Sequence, residues 1–156
     1  MIPLPAGAAL ELRPLDRSHY ELIRALEEQE DVWESIGPLP LPEERDAHLF
    51  AVVEEGTPIG VGGLVPSRAL GGRDFELFCA LRSEAQMRGL ATHACQLILG
   101  WAFDKARIER VVACIGDDNE GGKTIAAKLG MKASRPIPPD RTVYVKARAE
   151  GAPARP

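Results

Sequence analysis

The spacing of apolar residues changes period twice in the first third of the chain. In residues 9–15 (ALELRPL) apolar and polar positions alternate, the two-residue period of a strand with one covered face. In SHYELIRALEEQ, Tyr20, Ile23 and Leu26 recur at helical spacing, and Ser18 and Glu21 have capping-box separation, so a helix is expected to start there. Residues 31–46 (DVWESIGPLPLPEERD) lose the period and gain proline and acid, which predicts a loop with one short helix resting partly on Trp33.

Residues 48–81 return to strand patterning. HLFAVVEEGTPIGVGGLVPS is two apolar runs about a Glu55-Gly56 turn, and DFELFCAL is a third, giving three successive antiparallel strands. Leu90, Ala94, Leu97, Ile98 and Trp101 then fall at i, i+4, i+7, i+8 and i+11, one apolar face of a helix ending near Ala106. RVVACIG is a short β-branched run expected to be a buried strand. GGKTIAAKLG reads as a helix stopped by Gly130, MKASRPI as a further strand and RTVYVKA as a closing one. The order β-α-(α)-β-β-β-α-β-α-β-β predicts an α/β (α+β) fold, a mixed sheet with helices on its faces. One domain is expected over residues 1–149, with residues 150–156 (EGAPARP) a flexible tail.

Composition narrows the function classes. A chain of 156 residues with 45% hydrophobic and 27% charged residues has the make-up of one globular domain with a real core. Its 19 Lys and Arg are scattered against 23 Asp and Glu, a net charge of −4, so no broad phosphate-neutralising surface for nucleic acid is expected. Cys79, Cys95 and Cys114 lack Cys-x-x-Cys spacing, and His19, His48 and His93 are as widely spaced, so no metal site is expected. The odd cysteine count favours a reducing compartment. The start has no basic leader, and no run of about 18 apolar residues suggests a membrane span. Together these predict a soluble cytoplasmic protein.

Two strand-to-helix stretches are candidates for holding phosphate. GDDNEGGKT (residues 116–124) ends like a nucleotide-binding loop, but five residues separate Gly116 from Gly122 where that loop has four. Asp117, Asp118 and Glu120 would also repel a polyphosphate by roughly 1 kcal/mol each even at water's dielectric. That stretch reads as a polar turn. EAQMRGLATHA (residues 84–94) has a single glycine, yet it opens the longest helix and sets Arg88 beside consecutive backbone amides, so helix dipole and side chain both favour an anion.

The run QMRGLATHACQLILGWAFDKARIERVVACIGDDNEGGKTIAAKLGMK resembles the core of the GNAT family of N-acetyltransferases, with the ribosomal-protein N-terminal acetyltransferases the nearest branch. The family signature Gln/Arg-x-x-Gly-x-Gly/Ala is met by Gln86, Gly89 and Ala91. A long helix, a strand and an Asn before the next helix follow, met by Asn119, and KLGMK matches the usual ending with Met131 for Phe. The resemblance implies a mostly antiparallel sheet of six to seven strands, splayed in its middle and flanked by about four helices. It implies acetyl-CoA as cosubstrate with no metal. Its pyrophosphate would lie on the amides of Met87, Arg88, Gly89, Leu90, Ala91 and Thr92. The pantetheine arm would pair with backbone around Leu81, where an amide would act as oxyanion donor, and Asn119 would reach that arm from the far side. Many members have glycine where Met87 stands, so Met87 is expected to turn its side chain to the adenosine side or to solvent.

The reaction implied is attack of a primary amine on a thioester. An α-amino group has a pKa near 8 and a lysine near 10.4, so a base is useful. The resemblance places Glu76 at the position of that base; read as a residue of DFELFCAL, it is equally an outward-facing polar position on a half-exposed strand. The family's acid positions are vacant: Ala126 stands for the Tyr and Gly122 for the Ser of the ribosomal branch. Water, Cys114 or Tyr144 could substitute as acid, with Cys114 expected rather as packing within its strand and Tyr144 as core. Loss of both acids motivates the alternative of a catalytically degenerate acyl-CoA-binding or interaction module. The acceptor site would lie between residues 27–44 and 135–144. Its acids Glu27, Glu28, Glu30, Asp31, Glu34, Glu43 and Glu44 would suit a cationic amine, or form a solvated face. A protein N-terminus, a polyamine, an aminoglycoside and an amino acid all remain open as acceptors. A homodimer is the family expectation.

Overall fold

The computed structural model describes residues 10–149; Ala9 and the expected tail at residues 150–156 lie outside the described residues. Seven strands form one sheet in the order β1-β2-β3-β4-β5-β7-β6. They are β1 (Leu10–Pro14), β2 (His48–Glu54), β3 (Thr57–Ser67), β4 (Asp74–Leu81), β5 (Arg110–Gly116), β6 (Lys132–Ile137) and β7 (Arg141–Ala147). Four helices flank them: α1 (Tyr20–Glu27), α2 (Glu30–Ser35), α3 (Leu90–Asp104) and α4 (Glu120–Lys128). No helix among the described residues is long and apolar enough to cross a membrane.

The central meander forms where alternation and turn residues place it. Glu55 and Gly56 both take positive φ (49° and 84°), which lets a two-residue turn follow the twist of β2 and β3. Ala51, Val52 and Val53 of β2 are all buried, because helices cover both faces of the sheet. On one face Leu22, Ile23 and Leu26 of α1 and Val32 of α2 pack against Ala51, Val53 and Val61. On the other, α3 and α4 bring Ile98, Leu99, Ala126 and Leu129 onto Leu64, Leu77 and Val111. Gly62 lets α3 sit close, since a Cβ there would lie 2.9 Å from Ile98 Cδ1. Full burial of a side chain such as Ile98 contributes about 1.5–3 kcal/mol.

Two local expectations are corrected. The cap of the first helical segment is Asp16, not Ser18. Asp16 Oδ1 accepts from Ser18 N at 2.9 Å, the Asp16 N–H donates to His19 Nδ1 at 3.0 Å, and a 3-10 turn over Arg17–His19 precedes α1. The acceptor that faces back is a histidine ring rather than a glutamate, so the S-x-x-E pattern pointed two residues too late. The short helix α2 rests on Val32, 3% exposed, while Trp33 is 53% exposed. Its one-sided burial puts the small residue inward and the large one outward.

The sheet opens between its fourth and fifth strands. These run parallel and pair only at Phe75–Val111 and Glu76–Val112, whereas β5 stays paired with β7 from Arg110 to Gly116 and β4 with β3 from Asp74 to Leu81. Asp74, buried, takes a bidentate hydrogen bond from Arg110 (2.9 and 2.8 Å), which pins the closed end of the wedge. Beyond Glu76 the two halves of the sheet diverge, and a cleft forms between them.

Candidate active site

The cleft encloses ≈ 210 Å³. Its walls come from Glu76 to Cys79 of β4 and Ala113 to Ile115 of β5. Ala91 and Cys95 of α3 close it on one side, Asn119, Gly122 and Ala126 border α4, and Ser35, Ile36 and Arg141 stand towards α2. Residues more than a hundred positions apart therefore meet across one splayed strand pair.

At the α3 end, the signature loop leaves its amides unclaimed. The first helical bond is His93 N–H to Gly89 O at 3.3 Å, so the amides of Leu90, Ala91 and Thr92 have no intrahelical acceptor, and no side chain caps this helix. Gly89 takes φ +75° as N-cap. Met87 also takes a positive φ, +65°, with its side chain wholly exposed, so the backbone keeps the shape a glycine would favour and the thioether turns to solvent. Arg88 is not a free cation: its guanidinium pairs bidentately with Glu54 (3.1 and 2.5 Å), which ties the loop to the end of β2. Leu90 is buried in the core and Thr92 half-buried in the first turn. The anion-attracting elements of the loop are thus backbone amides and helix dipole.

Leu81 ends β4, and its carbonyl is already occupied. Gln86 Nε2 and Gln29 Nε2 each donate to Leu81 O at 3.0 Å, while Gln29 Oε1 accepts from Ser83 N at 3.0 Å and Gln86 also reaches Asp31 Oδ2 at 2.9 Å. The two glutamines brace the strand end against the α1–α2 junction, and Leu77 to Cys79, not Leu81, line the cleft. Gln29 carried no sequence signal, because its partners lie 52 and 54 residues away.

Glu76 and Cys114 share the cleft with Arg141. Burial pushes the Glu76 carboxyl above the usual carboxylate range; hydrogen bonds from the Cys114 amide and thiol, and the Arg141 charge, pull it partly back. Burial likewise pushes the Cys114 thiol up, with the Glu76 charge and hydrogen bond adding to it, to about 11. Cys114, expected as packing inside its strand, is a half-buried wall residue of the cleft, because β4 has already diverged at that level. Tyr144 packs at the margin of the core, as expected. Arg141 donates to Cys114 O at 3.1 Å and to Ser35 O at 3.4 Å.

Across the cleft, Asn119 Oδ1 accepts from Gly122 N at 2.9 Å and caps α4. A Cβ at Gly122 would lie 2.9 Å from Asn119 Nδ2, so a serine there would push on the cap. Ala126 is buried in the cleft wall with no hydroxyl to offer. The acids near the acceptor side are partly engaged elsewhere: Glu27 takes the Leu39 N–H at 2.7 Å, Asp31 holds Gln86, and Glu43 holds Tyr20. None of them lines the cleft. No group of three or more His, Cys, Asp or Glu suited to a metal occurs among the described residues.

Comparison with solved structures gives the same fold at low identity. A spermidine N-acetyltransferase from Vibrio cholerae, in complex with CoA and spermine, superposes with a TM-score of 0.77 at 15% identity, covering 89% of this chain and 95% of that one. The ribosomal-protein-S5-alanine acetyltransferase of Vibrio fischeri gives 0.71 at 17% identity, over 90% and 94%. An acetyltransferase from Agrobacterium tumefaciens gives 0.72 at 21% identity, over 94% and 95%. No curated protein matches the sequence significantly. The family described as the acetyltransferase (GNAT) domain matches residues 9–132, a stretch that includes both walls of the cleft, and the chain belongs to that family.

Proposed function

We propose that the protein is an acetyl-CoA-dependent N-acetyltransferase acting on a primary amine. The observation that carries this reading is the uncapped N-terminus of α3 at the edge of the same cleft that holds a half-buried carboxylate, Glu76. Acetyl-CoA supplies the acetyl group as a thioester, whose sulfur departs as a thiolate with the C–S electron pair as the new C–N bond forms. The amides of residues 87–92 hold the pyrophosphate at the positive end of α3. The β4 backbone from Leu77 to Cys79 and the Asn119 side chain flank the arm that enters the cleft.

Glu76 takes the proton that the ammonium must lose. Its raised carboxyl lies nearer the pKa of an amine than an ordinary glutamate does, which makes it a better base. Cys114 is a poor acid: at about 11 it holds its proton more tightly than an ordinary thiol near 8.5, so proton transfer to the departing sulfur runs uphill. With no hydroxyl at Ala126 or Gly122, that sulfur leaves unprotonated and takes a proton from solvent. Calorimetric titration with acetyl-CoA, followed by thiol release against a panel of primary amines, tests the reading. Binding with turnover of an amine supports it. Binding without turnover of any amine would leave a CoA-binding module, and absence of binding would sink both readings.

A further inference from the structure

Arg141 opens the last strand, and its position in the cleft is the least explained feature of the site. It is half-buried, and among the described residues its guanidinium forms no ion pair. Of the other described arginines, five have a carboxylate within 4 Å and seven do not; Arg141 is set apart by lining the cleft. Arg141 has only two backbone carbonyls, Cys114 O at 3.1 Å and Ser35 O at 3.4 Å, for a fork of five N–H donors. Glu76 in the same cleft feels its charge but makes no direct ion pair with it, and a planar fork left open matches a carboxylate bidentately.

Its place in the cleft says which reactant would bring that carboxylate. The pyrophosphate cradle is at the α3 end, on the face packed by α3 and α4. Arg141 instead bridges to the C-terminal end of α2, which belongs to the opposite face. Glu76 lies between, in the same cleft. The acids of the α1–α2 region, which would have drawn a polycation, are not in the lining, and the lining's own cation is Arg141.

We propose that Arg141 is the receptor for a carboxylate on the acceptor, and that the acceptor class is amino-carboxylates, α-amino acids first among them. This rests on the acetyltransferase reading. The guanidinium holds the carboxylate on the α2 side, and the amine of the same molecule is thereby turned towards Glu76. Charge complementarity is local: one carboxylate for Arg141, one ammonium for Glu76. Carboxylate-free polyamines bring positive charge to Arg141 with nothing to neutralise it.

The test uses the whole protein loaded with CoA and a panel of α-amino acids, each paired with the amine obtained by removing its carboxyl group. Binding is measured by calorimetry and turnover by thiol release from acetyl-CoA. At least one amino acid should bind and react roughly 10- to 100-fold better than its decarboxylated partner, the value of a bidentate charge-assisted pair. Arg141→Gln should erase that ratio through KM while leaving acetyl-CoA affinity unchanged, and Arg141→Lys should restore part of it. Equal or better binding of the decarboxylated amines overturns the proposal while their turnover keeps the enzyme reading. An Arg141→Gln variant whose kcat falls equally for every amine also overturns it, since Arg141 would then serve Glu76 alone. Weakened acetyl-CoA binding in Arg141→Gln overturns it as well, by assigning the anion to the cosubstrate. Carboxylate-selective binding lost in Arg141→Gln, without turnover of any amine, would support the proposal and sink the enzyme reading.

Discussion

The turn entering α3 and the turn entering α4 have the same topology, a strand running into a helix at the edge of the cleft, and opposite hydrogen-bonding states. The turn before α4 is richer in glycine and satisfies itself. Asn119 Oδ1 takes the Gly122 amide, Glu120 N–H donates to Asp118 O at 3.1 Å, and Lys123 Nζ ties to Asp117 O at 2.8 Å. The turn before α3 has one glycine and no side-chain cap, and its one nearby cation is spent on Glu54. An anion site is made by amides with no partner, so glycine count is a poor guide to it. Conformation at Met87 and Gly89, both with positive φ, matters more.

If the turns differ because chemistry occurs between them, the largest effect belongs to Glu76. Burial favours its neutral form in the folded state, so it contributes stability below its unfolded value near 4.3 that is lost as pH rises through the raised value. At pH 7 the ionised carboxylate is held at a cost. Glu76→Gln should lower kcat by about 10²–10⁴-fold, while the thermal midpoint at pH 7 holds or rises. The acid limb of the wild-type kcat profile should lie above the ordinary carboxylate value. Full turnover in the variant would remove Glu76 as base.

Placing a carboxylate at the open turn tests the contrast itself. Ala91→Asp would favour the helix terminus but repel a pyrophosphate, so acetyl-CoA affinity should fall roughly 10- to 100-fold in a calorimetric titration. Undiminished affinity would mean that the two turns are functionally alike. The converse change, Asn119→Ala, uncaps α4 and should cost about 1 kcal/mol, or about 2–4 °C in thermal midpoint, read by circular dichroism. The smallest effect is expected at Met87. Its left-handed backbone costs about 1–2 kcal/mol, and glycine's unfolded-state entropy returns about 0.5–1 of that. Met87→Gly should therefore raise the midpoint by no more than about 2–4 °C, and a lowered midpoint would show that the loop is not strained there.

Much of the architecture was legible from local pattern. Alternation marked the strands from His48 to Leu81, the spacing of Leu90, Ala94 and Ile98 marked α3, and the signature loop stood where the amides of α3 are unclaimed. The capping box at Ser18 failed because an aspartate two residues earlier offers a better acceptor to the same turn. The site itself was half legible. Glu76 lies in the cleft, but Cys114 was expected as packing within its strand and Arg141 was only one residue of the acceptor-side stretch 135–144, since neither residue's neighbours in sequence indicate where two strands part.

The sequence by itself determined which segments are strands and helices and which loop opens the longest helix, because periodicity and turn residues act between residues a few positions apart. Only the tertiary structure decided that β7 inserts between β5 and β6, that β4 and β5 part after Glu76, and that the resulting gap sets Arg141 beside Cys114 and Ser35. Those meetings, at separations of 27 and 106 residues, follow from how the covered faces pack, and packing has no local signature.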